Sequence, residues 1–108
     1  MVKRVLFVCS GNFHRSPTAV RLFKDREGFE VKSAGTSSNM PNPISAELVQ
    51  WADKIFVMEE EHREFIVQRH PEAASKITVL DIEDNYSRDD PQLKAILKEK
   101  LESYFNSQ

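Results

Sequence analysis

The sequence predicts an α/β protein, a compact four-stranded parallel sheet flanked by helices, with an anion-binding loop between the first strand and first helix. Two observations carry that prediction. Short apolar runs alternate with segments of helical periodicity in the order βαβαβαβα, the pattern of a parallel sheet with helices on both faces. The first run, Val5-Leu6-Phe7-Val8, is apolar at every position, as a strand covered on both sides must be. At 108 residues the chain reads as one domain, residues 1–108.

The elements follow in order. After the first strand, Ser16 reads as an N-cap with Pro17 at the first helical position, and Ala19, Val20 and Phe23 recur at helical spacing up to a stop at Gly28. Phe29 to Ser33 alternates as a second strand, and Ala34 to Pro43 is a loop rich in Ser, Asn, Gly and Pro. Asn42-Pro43 is placed to cap a short helix with Ile44, Leu48 and Trp51 on its apolar face. Ile55 to Met58 is a third strand. A charged helix follows from Glu59, with Pro71 near its end, and its acidic first turn favours the helix dipole. Ile77 to Ile82 is a fourth strand. Asp90-Pro91 opens a last helix with the stripe Leu93, Ile96, Leu97, Leu101 and Tyr104.

Composition narrows the function. Fifteen Lys and Arg stand against 17 Asp and Glu, a net charge of −2 without the basic excess that nucleic-acid binding needs. A single cysteine rules out an internal disulfide framework and cysteine-rich zinc sites, and suits a reducing compartment. With no apolar run of membrane-spanning length and no signal-peptide pattern, the expected location is cytoplasmic, with no membrane partner.

The chemistry concentrates where the first strand ends, at Cys9-Ser10-Gly11-Asn12-Phe13-His14-Arg15-Ser16-Pro17. A cysteine beside a helix N-terminus and an arginine is held in the thiolate form, the nucleophilic one. The amides from Ser10 through Gly11, Asn12, Phe13 and His14 to Arg15 can curl into a nest for phosphoryl oxygens. Gly11 permits close approach and Asn12 tolerates the left-handed conformation. Arg15 offers a planar fork for two oxygens. A cation is disfavoured at a helix N-terminus, so its placement calls for an anion. In parallel sheets ligands sit at the carboxyl ends of strands, and there the fourth strand delivers Asp81 to Tyr86.

Cys-x5-Arg-Ser directly after an apolar strand resembles the low-molecular-weight protein tyrosine phosphatase family. Ser33-Ala34-Gly35-Thr36 is similar to that family's second-strand segment, Ala52 to Met58 to its third-strand entry, and Asp81-Ile82-Glu83-Asp84-Asn85-Tyr86 to its acid loop. The resemblance spans nearly the whole chain and is greatest to a short, compact subgroup of predicted tyrosine phosphatases. It implies a phosphomonoester hydrolase acting on a phosphorylated protein or small aryl phosphate, without metal or other cofactor. Cys9 would form a phosphocysteine and Arg15 clamp the phosphoryl group. Asn12 would hold the loop, Ser16 stabilise the thiolate, and Asp84 serve as general acid and base, with Asp81 as the other candidate. Phe13 and Tyr86 would rim the pocket, unless Phe13 packs into the core and Tyr86 is a plain loop residue.

Three departures from the family pattern stand out. His14 occupies the position where the family often has a second cysteine, the stretch between Gly35 and Trp51 is short, and Asn85 replaces a proline after the acid. Competing readings are a phosphocysteine carrier of the sugar-phosphotransferase type, a non-catalytic phosphate-binding module and a thiol-dependent arsenate reductase. Other conspicuous residues take plainer readings: His62 and His70 as surface residues, His14 as exposed or structural, Trp51 as core-facing, and Glu59-Glu60-Glu61 as a solvated helix start. Oligomeric state is not legible in the sequence.

Overall fold

A computed structural model describes residues 2–11, 14–37 and 42–106. Strand β1 (Lys3–Cys9) leads into helix α1 (Arg15–Phe23), followed by β2 (Phe29–Gly35), α2 (Ala46–Trp51), β3 (Lys54–Val57), α3 (Glu60–Arg69), a 3-10 turn (Pro71–Lys76), β4 (Ile77–Val79) and α4 (Pro91–Asn106). All pairings are parallel and the strand order is β2-β1-β3-β4, so the chain runs outward one way from β1, then returns past it. The carboxyl ends of β1 and β3 are therefore neighbours.

Period-2 alternation divides the core. Val5, Phe7 and Cys9 face α1 and α4, where they meet Phe23, Phe56, Leu93, Leu97, Leu101 and Phe105. Leu6 and Val8 face the other way, onto Val49, Ile55, Val57, Ile66 and Ala73 beneath α2 and α3. This two-sided burial is why β1 is apolar throughout. On the first face aromatic rings gather tightly: Phe23 stacks on Phe105 with centroids 4.2 Å apart, and Phe29 meets Phe105 edge-on at 4.6 Å.

Several boundaries differ from the sequence reading. Helix α1 begins at Arg15, with His14 as N-cap, so Ser16 lies inside the first turn rather than capping it. Within that turn the Thr18 hydroxyl donates to the His14 carbonyl at 2.7 Å. The same helix ends at Phe23, short of Gly28, which takes φ +88° in the turn into β2. Ser45, not Asn42-Pro43, caps α2, accepting from the Leu48 amide. Strand β4 stops at Val79, although Leu80 and Ile82 still donate to the carbonyls of Val57 and Met58. Asp81, at φ +57°, interrupts the ladder between them. At α4 the Asp90 carboxylate accepts from the Gln92 amide, the cap expected of Asp90-Pro91. No helix among the described residues is long and apolar enough to cross a membrane.

Candidate active site

The site lies at the carboxyl rim of the sheet. Cys9 ends β1 and is 2% exposed. The carbonyls of Cys9 and Ser10 accept from the amides of Thr36 and Ser37, which ties the start of the loop to the extension of β2. Ser10 and Gly11 are partly buried, and His14 is exposed. Asn12 and Phe13 lie outside the described residues.

Arg15 is the anchor of the rim. Its side chain is 2% exposed, unusual for a guanidinium, and such burial demands paired charge. Nη1 donates to Glu59 Oε1 at 2.6 Å and to the Ile82 carbonyl at 2.8 Å, while Nε lies 3.7 Å from Asp84 Oδ1. One side chain thus joins three segments: the start of α1, the segment between β3 and α3, and the acidic loop after β4. Asp84 is 60% exposed, free to meet a substrate, whereas Asp81 is turned into the left-handed region two residues before Glu83. Asn85 donates to the Glu83 carboxylate, ordering the loop where the family pattern has proline. Tyr86 is half-buried and packs against the core beneath α4. Ser16 is fully buried, and its hydroxyl has no hydrogen-bond partner among the described residues.

Two residues read as solvated in the sequence belong to this rim. Glu59 is the counter-ion of Arg15 and the N-cap of α3, not part of a solvated run. His62 is 1% exposed, not a surface residue: Nδ1 accepts from the Glu59 amide at 3.0 Å and Nε2 lies 2.9 Å from Ser10 Oγ. Burial, followed by the nearby Arg15 charge, lowers its pKa from 6.5 to about 4, although Glu59 and Asp84 pull the other way. The ring is therefore neutral at pH 7. His70 is half-buried where α3 meets the 3-10 turn. Ligand atoms of Glu59, Glu61 and His62 lie within 4.8 Å of one another, but both imidazole nitrogens are already engaged, so this trio does not fit a metal ion. Glu59 and His62 reach this rim because they follow β3, whose carboxyl end lies beside that of β1.

A thiol at a strand end, a buried arginine opening the next helix and an exposed carboxylate beside that arginine thus lie together at one rim of an α/β fold. Residues 4–44 match the family model of the low molecular weight phosphotyrosine protein phosphatases. A protein-arginine-phosphatase of Geobacillus stearothermophilus is 32% identical over 104 positions, covering 74% of this chain and 70% of that protein. A probable low molecular weight protein-tyrosine-phosphatase, EpsP of Ralstonia solanacearum, is 28% identical over 121 positions, covering 90% of this chain and 83% of that one. The tyrosine phosphatase Wzb of Escherichia coli K30, solved with phosphate, shares the fold at a TM-score of 0.82 and 22% identity, covering 99% of each chain. The chain belongs to the low-molecular-weight protein tyrosine phosphatase family, and it is a cysteine-dependent phosphatase.

Proposed function

We propose that the chain hydrolyses aryl phosphate monoesters, phosphotyrosine in proteins among them, through a phosphocysteine on Cys9. The observation that carries this reading is the position of Arg15, buried at the start of α1 and set between the nucleophile's loop and Asp84. In the first step the Cys9 thiolate attacks phosphorus, the P–O ester bond breaks, and Asp84 gives its proton to the leaving oxygen. In the second, Asp84 takes a proton from water, whose oxygen attacks phosphorus as the P–S bond breaks, releasing phosphate and the thiolate. Arg15 and the amides of residues 10–15 neutralise the equatorial oxygens throughout. The Ser16 hydroxyl, without a hydrogen-bond partner among the described residues, turns to the thiolate when it is liberated.

The test is a pH–rate profile on aryl phosphates, in chelator, for wild type, Cys9→Ser and Asp84→Asn. Turnover should vanish in Cys9→Ser. In Asp84→Asn it should fall about a hundredfold for poor leaving groups and far less for good ones. Activity that survives Cys9→Ser sinks the reading. Activity untouched by Asp84→Asn moves the acid to Asp81.

A second reading concerns the substrate. The relative at 32% identity is named a protein-arginine-phosphatase. Phosphoarginine presents the same dianion on a P–N bond, so the same steps serve it. The ratio of kcat/KM for phosphoarginine and phosphotyrosine substrates decides between them.

A further inference from the structure

Arg15 and Cys9 account for anion and nucleophile, but not for a fully buried imidazole bonded to Ser10 and Glu59 at the same rim. His62 sits in the first turn of α3, 52 residues from Ser10 in sequence, yet bonds its side chain. A backbone amide can only donate, so the bond from the Glu59 N–H requires Nδ1 to be unprotonated. The neutral ring then carries its proton on Nε2, and Ser10 Oγ, 2.9 Å away, is the acceptor. Both nitrogens are thereby committed, one to each neighbour of the chemistry. Ser10 directly follows Cys9 and opens the phosphate loop. Glu59 holds Arg15, and its own carboxylate accepts from the His62 amide in a reciprocal cap.

We infer that His62 is a positioning residue, a neutral Nε2–H donor that fastens the first residue of the phosphate loop and the Glu59 cap to one rigid ring. The inference rests on the assignment of Cys9 and Arg15 above. It adds what fixes their relative placement: His62 bridges the ends of β1 and β3 above the point where strand hydrogen bonding stops. The arrangement tolerates only the neutral ring. A proton on Nδ1 would set two donors against each other at the Glu59 amide, releasing the cap that carries Arg15's counter-ion. The charged groups facing the ring are Arg15 from α1, Glu59 and Glu61 at the start of α3, and Asp84 from the acid loop. Placement of this kind matters because a displacement of about 1 Å in a catalytic loop costs as much as a hundredfold in rate.

A double-mutant cycle between Ser10→Ala and His62→Phe tests it, with kcat/KM on an aryl phosphate and urea unfolding read side by side. Ser10→Ala should lower kcat/KM about tenfold, the worth of one well-placed hydrogen bond, with little change in unfolding midpoint. His62→Phe should lose at least as much, and the double variant should be no worse than His62→Phe alone. His62→Gln, whose amide can accept from Glu59 and donate to Ser10, should recover most of the activity. Nitrogen-15 NMR of the wild type at pH 7 should show Nε2 protonated and Nδ1 bare, a readout independent of turnover and of whether His62→Phe folds. The inference is overturned by the opposite tautomer, by wild-type kinetics in Ser10→Ala, or by losses that multiply in the double variant. Failure of the catalytic assignment would appear separately, as turnover that persists in Cys9→Ser.

Discussion

Arg15 shows how a single residue converts local sequence into a site. Its guanidinium is buried at the positive end of a helix, where a cation is least welcome, and it is held there by Glu59, the Ile82 carbonyl and Asp84. These partners preset the direction of the fork before any phosphate arrives. A lysine would keep the charge but lose the planar geometry that satisfies a carboxylate, a carbonyl and a phosphoryl group together. Arg15→Lys should therefore lower kcat on aryl phosphates by about two orders of magnitude, the scale of removing one donor to a developing oxyanion. Steady-state kinetics with inorganic phosphate as inhibitor checks this, and phosphate should also bind the variant more weakly. Wild-type kcat in Arg15→Lys would mean that charge alone suffices. Cys9 and Arg15 were legible in the sequence because their signal is contiguous. Glu59 and His62 were not, because what makes them functional is contact with residues 44 and 52 positions away, while locally they look like an ordinary acidic helix start.

At the scale of elements, the sequence pattern revealed every strand and α-helix but not the 3-10 turn over Pro71–Lys76, and most termini shifted. The reason is that caps were competing locally. Ser16 and Ser45 look alike as caps, yet only Ser45 accepts from its helix, because His14 already occupies the turn before Arg15. Helix α3 has the more unusual start, a reciprocal cap in which an imidazole replaces the customary Glu or Gln side chain. That choice makes the element sensitive to acid. The folded-state pKa of His62 is about 4 and its ordinary value 6.5, so between these values the unfolded chain binds more protons than the folded one. Stability contributed by the neutral ring is fully present above pH 6.5 and is lost as pH falls towards 4, by about 3 kcal/mol at most. Urea unfolding at intervals from pH 7.5 to 4 should show this decline, and His62→Gln should remove that part of it. An unchanged profile in His62→Gln would assign the acid sensitivity to other groups.

The whole molecule divides its labour along the strands. The carboxyl ends of β1 and β3 carry Cys9, Glu59 and the loops that meet at Arg15. The amino ends carry the aromatic cluster: Phe29 pairs with Lys3 at the start of β1, and Phe105, on the last turn of α4, packs on Phe29 and Phe23. Phe105 is 4% exposed and closes the face of the sheet that α1 and α4 share. At the end of a helix, periodicity alone does not say whether the apolar stripe continues past Tyr104 to Phe105. Here it continues, and Phe105 packs on both Phe23 and Phe29. Truncation to alanine should destabilise the protein by about 3–4 kcal/mol, the cost of lost transfer energy plus an incompletely collapsed cavity. In a chain of this size that lowers the melting temperature by roughly 12–30 °C. The folded fraction of Phe105→Ala should nevertheless keep a kcat/KM close to wild type at low temperature, because the tightest contacts of Phe105, those with Phe23 and Phe29, are with residues outside the catalytic loop. Calorimetry alongside kinetics at 10 °C would separate the two quantities. A loss of kcat/KM in proportion to the loss of stability would show that the aromatic cluster and the catalytic rim behave as one cooperative unit rather than as support and site.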